Sequence, residues 1–302
     1  MELSIKDFDF LDSFDHLGSY ILDEHEKNKL DLFILKINAN EFDYSSLKNN
    51  LIDPLIDFSL SRKVREKYAG KPGTQSSKAR EKFVEYIRNK GELGELLLYC
   101  FLETHLNAPK ILSKLELKTS TSHYVNGADG VHYLKLSDGS YQLIFGESKT
   151  IVGLTAAITD AFKSIYQFKN CINEKGGKKS GLPYEKGLVS DHLEKETFSI
   201  EERKFVESIV YPSRHNDFEV DDAFGIFVGY EVKIEESDKK LPSSKFREKI
   251  KTQIKDQIQA SFAHIKNKIN EHDLHGHSFY IYILPFSDLD KTRSIIQEGI
   301  SQ

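Results

Sequence analysis

The segment from residue 127 to residue 149 restricts the fold of this 302-residue chain more than any other. Two runs of strand-forming residues, 129–136 and 141–149, flank Asp138-Gly139, a dipeptide suited to the two-residue turn of a β-hairpin. In the second run Tyr141, Leu143 and Phe145 fall on one face, and Ile144 and Gly146 on the other. A strand apolar on both faces is central and buried, so this hairpin belongs to the interior of a larger sheet.

What surrounds the hairpin alternates between helix and strand. Residues 92–103, entered through Gly91 and Gly94, read as a helix, and the stretch Leu96-Leu-Leu-Tyr-Cys-Phe-Leu102 is apolar nearly all round. Such a helix is buried on every side. Residues 111–120 supply a first strand, ahead of the hairpin. Behind the hairpin, Leu154, Ala157, Ile158, Ala161, Phe162, Ile165 and Phe168 are spaced as one apolar helical face over 154–170. Further strands are expected at 31–38, 223–234 and 278–284. Helices are expected at 45–60 (interrupted by Pro54), at 244–271 and from about 288. Residues 174–220 are polar and charged, and Gly176-Gly-Lys-Lys-Ser-Gly181 marks a flexible connector. The alternation predicts an α/β fold, a mixed sheet flanked by helices. An N-terminal α/β extension at 1–90 would precede a domain at 91–302, whose core lies at 91–170.

Composition narrows the function classes. A net charge of -5 gives no global attraction to nucleic acid, so contact with phosphates must come from local patches. Residues 61–90 hold ten Lys and Arg against three Glu: either such a patch or a solvated linker and helix face. The outer face of the 244–271 helix is also basic, suited to DNA or to an acidic partner surface. Two cysteines, Cys100 and Cys171, exclude a disulfide framework and a four-cysteine zinc site. No stretch approaches the roughly 20 apolar residues of a membrane span, and the first residues lack the apolar core of a signal peptide. A cytoplasmic protein is expected.

Three Glu-x-Lys tripeptides occur, Glu116–Lys118, Glu147–Lys149 and Glu231–Lys233, and by itself the pattern is common on charged strands. Only the second has a hairpin partner with a suitably placed acid: the turn at 138–139 sets Asp129 opposite Glu147. Two carboxylates so close need a neutralising cation. Mg²⁺ prefers hard oxygen ligands, and Asp129, Glu147 and the carbonyl of Ser148 form a reasonable partial shell, with Mn²⁺ able to substitute. Lys149 would then orient the attacking water or stabilise developing charge. Glu95, at the start of the buried helix, either completes the site as a further metal or water ligand or complements the helix dipole.

A helix carrying Glu95, three strands carrying Asp129 and Glu147-x-Lys149, and a further helix resemble the αβββα core of the PD-(D/E)xK nucleases, with Ala128 where their usual Pro stands. Gly91-Glu-Leu-Gly-Glu95, Gly127-Ala-Asp-Gly-Val-His132 and Phe145-Gly-Glu-Ser-Lys149 together look more specifically like the HamA family of Hachiman anti-phage defence. That resemblance, carried by residues 91–170, implies a metal-dependent DNA endonuclease held in check by a partner helicase, HamB. The competing expectation is a catalytically silent module that binds nucleic acid or regulates the helicase on the same fold. Among the smaller features, alternation puts His132 on the face opposite Asp129, as a structural histidine. His272, His275 and His277 read as a polar loop rather than a metal site. Asp160, Lys163, Ser164 and Gln167 share a polar helix face that either reaches the site or meets solvent, and Tyr166 beside it is a candidate for stacking on a base.

Overall fold

The computed structural model describes residues 2–5, 9–86, 91–117, 127–195, 198–214 and 216–301. In chain order the strands are β1 (Phe14–Ile21), β2 (Asn28–Leu35), β3 (Ile37–Asn38), β4 (Glu41–Phe42), β5 (Lys110–Ser113), β6 (Gly130–Lys135), β7 (Tyr141–Thr150), β8 (Val220–Glu231) and β9 (Phe279–Phe286). The helices are α1 (Tyr44–Asn50), α2 (Ile52–Ser59), α3 (Arg62–Lys67), α4 (Pro72–Tyr86), α5 (Glu92–Thr104) and α6 (Lys114–Leu117). They continue with α7 (Leu154–Lys169), α8 (Leu182–Lys195), α9 (Ile200–Val210), α10 (Ser243–Glu271) and α11 (Leu289–Ser301).

Among the described residues seven strands form one mixed sheet in the order β1-β2-β9-β8-β7-β6-β5, and β3 and β4 pair apart from it. The four central strands, β2, β9, β8 and β7, run parallel, while β1 and the β5–β6 side pair antiparallel. The expected order of helix, three strands and helix is present as α5, β5, β6, β7 and α7. Residues 118–120 of the predicted first strand lie outside the described residues, and α6 follows β5 directly. Strands from the 1–90 segment share this sheet, since β2 pairs with β9.

Apolar patterning explains the layers. Every residue of α5 is buried, because it is covered on two sides. Phe101 meets Phe33 and Tyr282 of the sheet at ring separations of 4.7 and 4.9 Å, while Tyr99 meets Phe58 of α2 at 5.5 Å. On the other sheet face, Phe162 and Phe168 of α7 meet Phe279 and Phe145, and α10 lies beside α7 with its Phe246, Ile250, Ile254, Ile258 and Ile265 seam buried. The expected interruption at Pro54 falls instead at Leu51. Pro54 sits in the first turn of α2, where a missing N–H costs no intrahelical bond.

Two helices, α8 and α9, occupy the polar stretch 174–220. Sparse apolar residues (Val189, Leu193, Val206, Ile209) are enough to anchor them, and a Ser199–Glu202 capping box starts α9. The basic run beginning at residue 61 forms α3 and α4. There Arg65 pairs with Asp57, and Arg62 lies over the Phe198 ring, so part of that charge serves packing. On α10, Lys249 and Lys251 likewise pair with Asp238 and Asp15.

Candidate active site

The site is built from strand register. Val131 pairs with Phe145, the pair of this antiparallel ladder nearest the end of β7, and the chain just before β6 carries Asp129 to that end, where its carboxylate meets Ser148 and not, as expected, Glu147. The Asp129 N–H donates to the Gly146 carbonyl at 2.8 Å, fixing the chain just before β6 begins. Close backbone approach is possible because Gly146 has no side chain: a Cβ there would lie 3.3 and 3.4 Å from the Gly130 backbone. The carboxylate of Asp129 is nearly buried, and its Oδ2 accepts from the Ser148 N–H at 2.7 Å and from the Ser148 hydroxyl at 2.9 Å. In a strand, a residue's N–H and C=O point to the same side, so the Ser148 carbonyl also faces the Asp129 edge.

Glu147 and Lys149 project from the opposite face of β7, the face on which Phe145 meets Phe168 of α7, with Glu147 Oε1 2.6 Å from Lys149 Nζ. Gly94 lets the first turn of α5 lie on the end of β7, where a Cβ would come 3.2 Å from Thr150 and 3.3 Å from Ser148. That contact brings Glu95, buried, to the same place.

One cleft of about 220 Å³ joins all five expected residues: Glu95, Asp129, Glu147, Ser148 and Lys149. Its far wall is Ser164, Gln167 and Phe168 of α7, so the polar face of that helix does reach the site, but through these two polar residues. Lys163 turns instead to Glu174, and Tyr166 stacks on His272 at 4.9 Å. Lys179 and Ser180 also line the cleft, with Gly91 and Gly127. Lys179 and Ser180 lie in the Gly176–Gly181 segment, expected from sequence to be only a flexible connector. The loop is folded back by Lys179 N–H donating to the Cys171 carbonyl, and Gly181 packs where a Cβ would fall 2.2 Å from the Phe168 carbonyl. A Lys-Lys-Ser between glycines, directly after a helix that borders the site, was the available signal.

The other two tripeptides are structural. Glu116 pairs with Lys110 in the interior and accepts from the Ser113 N–H, while Lys118 lies outside the described residues. Glu231 accepts from Leu289 N–H at the start of α11, and Lys233 pairs with Glu235. His132 is buried, with Nδ1 2.8 Å from the Ala108 carbonyl, and burial holds its pKa down at about 4. His277 contacts the Asp222 carbonyl.

The donor set of the cleft suits a hard divalent cation: three carboxylates and a strand carbonyl, all oxygen. Among the described residues, three side-chain donor atoms come within 4.8 Å of one another at His16, Asp31 and His105. Glu95, Asp129 and Glu147 stand further apart than that. Like charges separate, and Asp129 and Glu147 are each turned to a local donor, Ser148 and Lys149.

Among the described residues no helix is long and apolar enough to cross a membrane. No curated protein matches the chain. The HamA family model matches residues 9–300, which include every residue of the cleft. On that match the chain belongs to the HamA family and has its role in Hachiman anti-phage defence.

Proposed function

We propose that this protein is a Mg²⁺-dependent DNA endonuclease of the PD-(D/E)xK type, with Mn²⁺ able to substitute, acting in the cytoplasm as the effector of the defence system. The observation that carries this reading is the convergence of Glu95, Asp129, Glu147 and Lys149 on one cleft, at the ends of three separate elements. Membership of the family supports a partner helicase of HamB type in this reading, whose grip would keep the cleft from DNA until foreign DNA is engaged.

In this reading Asp129, Glu147 and the Ser148 carbonyl would hold the cation, with Glu147 turned from Lys149, and Glu95 would hold an outer water. When bound, such a cation supplies charge neutralisation at the scissile phosphate and a water of lowered pKa. The chain's own residues do the rest. Ser148 fixes the Asp129 carboxylate through two hydrogen bonds. Lys149 leaves Glu147 to orient the water and to offset charge developing on the phosphate. A partly exposed ion pair of this kind is worth only about 1 kcal/mol, so exchanging Glu147 for a phosphate is not prohibitive. Gln167 and Lys179 hold the DNA backbone from the opposite wall.

The test is cleavage of plasmid and linear DNA by the purified protein with Mg²⁺, next to Glu147→Ala and Lys149→Ala. Cutting that persists in both variants overturns the assignment. The alternative, a catalytically silent binding or helicase-regulating module, has one observation in its favour: Glu147 is already paired with Lys149. Calorimetry separates the two readings, because only the nuclease requires Mg²⁺ or Mn²⁺ to bind.

A further inference from the structure

At the other end of α5 a second group of side chains converges, and it has no part in the cleft. His105 follows α5 directly, about 15 Å along the helix from Glu95 at 1.5 Å per residue. Across the sheet, Asp31 pairs with Tyr282, Tyr282 with Phe227 and Phe227 with Ser148, so the two places are also three strands apart, about 14 Å.

The convergence depends on a bulge. In β1, His16 pairs with Phe33 and Ser19 with Asp31, with a register shift between His16 and Gly18. An odd spacing normally places two residues on opposite faces; the extra residue restores His16 and Ser19 to one face, beside Asp31. His16 Nε2 lies 3.0 Å from Asp31 Oδ1, and His105 Nε2 lies 3.9 Å from the same oxygen. Two ligands at about 2.1 Å from a tetrahedral centre are about 3.4 Å apart, a value these two distances bracket.

The orientation of the imidazoles is fixed from outside. His105 Nδ1 is 3.2 Å from the hydroxyl of the buried Tyr282, which leaves Nε2 directed at Asp31. His16 stacks on Phe33 at 4.5 Å, and His105 meets the same ring edge-on at 5.2 Å. Ser19 donates its hydroxyl to Asp31 Oδ1 and is the group a ligand would displace. The side chains of His16 and His105 remain 37% and 28% exposed, so there is an entry path and room for a water ligand.

We propose that His16, Asp31 and His105 form a binding site for a borderline divalent transition-metal ion of the Zn²⁺ class, which ties strand β1 to the end of α5. Two imidazoles and one carboxylate match the ligand preference of Zn²⁺ and mismatch that of Mg²⁺, so the site is chemically distinct from the oxygen-lined cleft. The proposal does not depend on the nuclease reading.

The full-length protein, stripped of divalent ions by a chelator, is titrated with Zn²⁺ by calorimetry and with Co²⁺ by visible absorbance. One Zn²⁺ per chain is expected, with Co²⁺ giving the visible bands of a low-symmetry N/O site. Affinity should fall at least about 100-fold in His16→Ala and in His105→Ala, and about 10-fold in Tyr282→Phe, which removes only the orienting hydroxyl. Glu147→Ala should bind Zn²⁺ at this site as the wild type does. Should His105→Ala fail to fold, His16→Ala, at a more exposed position, carries the measurement. No binding by the folded wild type overturns the proposal. So does binding unchanged in His16→Ala and Tyr282→Phe, which would assign the ion to other histidines.

Discussion

Gly146→Ala isolates the geometric claim about the cleft, that Asp129 is in place because β6 can approach the backbone of β7. The added Cβ would stand 3.1 Å from Leu98 Cδ2, 3.3 Å from the Gly130 nitrogen and 3.4 Å from the Gly130 oxygen. Leu98 can rotate a methyl away, whereas the Gly130 backbone moves only by shifting the start of β6, and Asp129 with it. Overpacking of this extent costs about 1–2 kcal/mol, or about 2–5 °C in Tm. A displacement of about 1 Å costs about 100-fold in rate, so a shift of a few tenths should lower cleavage about tenfold. A matched control lies one strand over. Gly225 is the register partner of Gly146, and a Cβ there would stand 3.1 Å from Leu102 and 3.3 Å from Ile144, side-chain atoms alone. Gly225→Ala should therefore lose similar stability while cleaving at close to the wild-type rate. Thermal unfolding and the rate of supercoiled-plasmid loss with Mg²⁺ measure both. Equal activity losses in the two variants, or full activity in Gly146→Ala, would show that the close approach of β6 to Gly146 does not place Asp129.

Three further outcomes follow from the structure. His132 has a folded pKa of about 4 against an ordinary value of 6.5, so the unfolded chain takes up the proton first; the stability present above pH 6.5 is lost as the pH falls to 4, by about 3 kcal/mol. Urea unfolding across that range should show His132→Gln, which can keep a donor for the Ala108 carbonyl, with a flatter profile. Lys110→Met strands the buried Glu116 carboxylate and should cost about 3–5 kcal/mol, much of it recovered when Glu116→Gln is added, as read by denaturant midpoints. Lys179→Ala should leave Tm unchanged and weaken DNA binding by the chelator-treated protein about tenfold, with a shallower salt dependence; an unchanged salt slope would remove Lys179 from the DNA path.

Much of this layout was legible because local patterns and tertiary demands coincide. The Asp138-Gly139 turn fixes the β6–β7 register, which brings Asp129 to the end of β7, although its carboxylate meets Ser148 there and not Glu147. The all-round apolar run of α5 signalled burial on two sides, which the sheet and α2 provide. Discrimination among the three Glu-x-Lys tripeptides also rested on pairing, and Glu116 and Glu231 prove to be held by Lys110 and by the Leu289 N–H. Features set by distant partners were illegible. Strand β1 carries His16, Gly18 and Ser19 in a weak alternating pattern, and it takes its place through pairing with β2. Helices α8 and α9 bury few apolar residues, so their periodicity is faint. Lys179 reaches the cleft through a fold-back whose contacts are to Cys171 and Phe168 backbone atoms, which no pattern of side-chain types encodes.

The strand order has a consequence for how such a chain is made. β9 lies between β2 and β8, yet it is synthesised after both, and nearly the whole chain separates it from β2. During translation β2 is covered along one side by β1, and β8 along one side by β7; the remaining edge of each belongs to a strand that is apolar on both faces. Open edges of that kind recruit other chains. The sheet becomes continuous only when residues 279–286 slide between them, so a strand made after both is the one that ends the exposure of both halves.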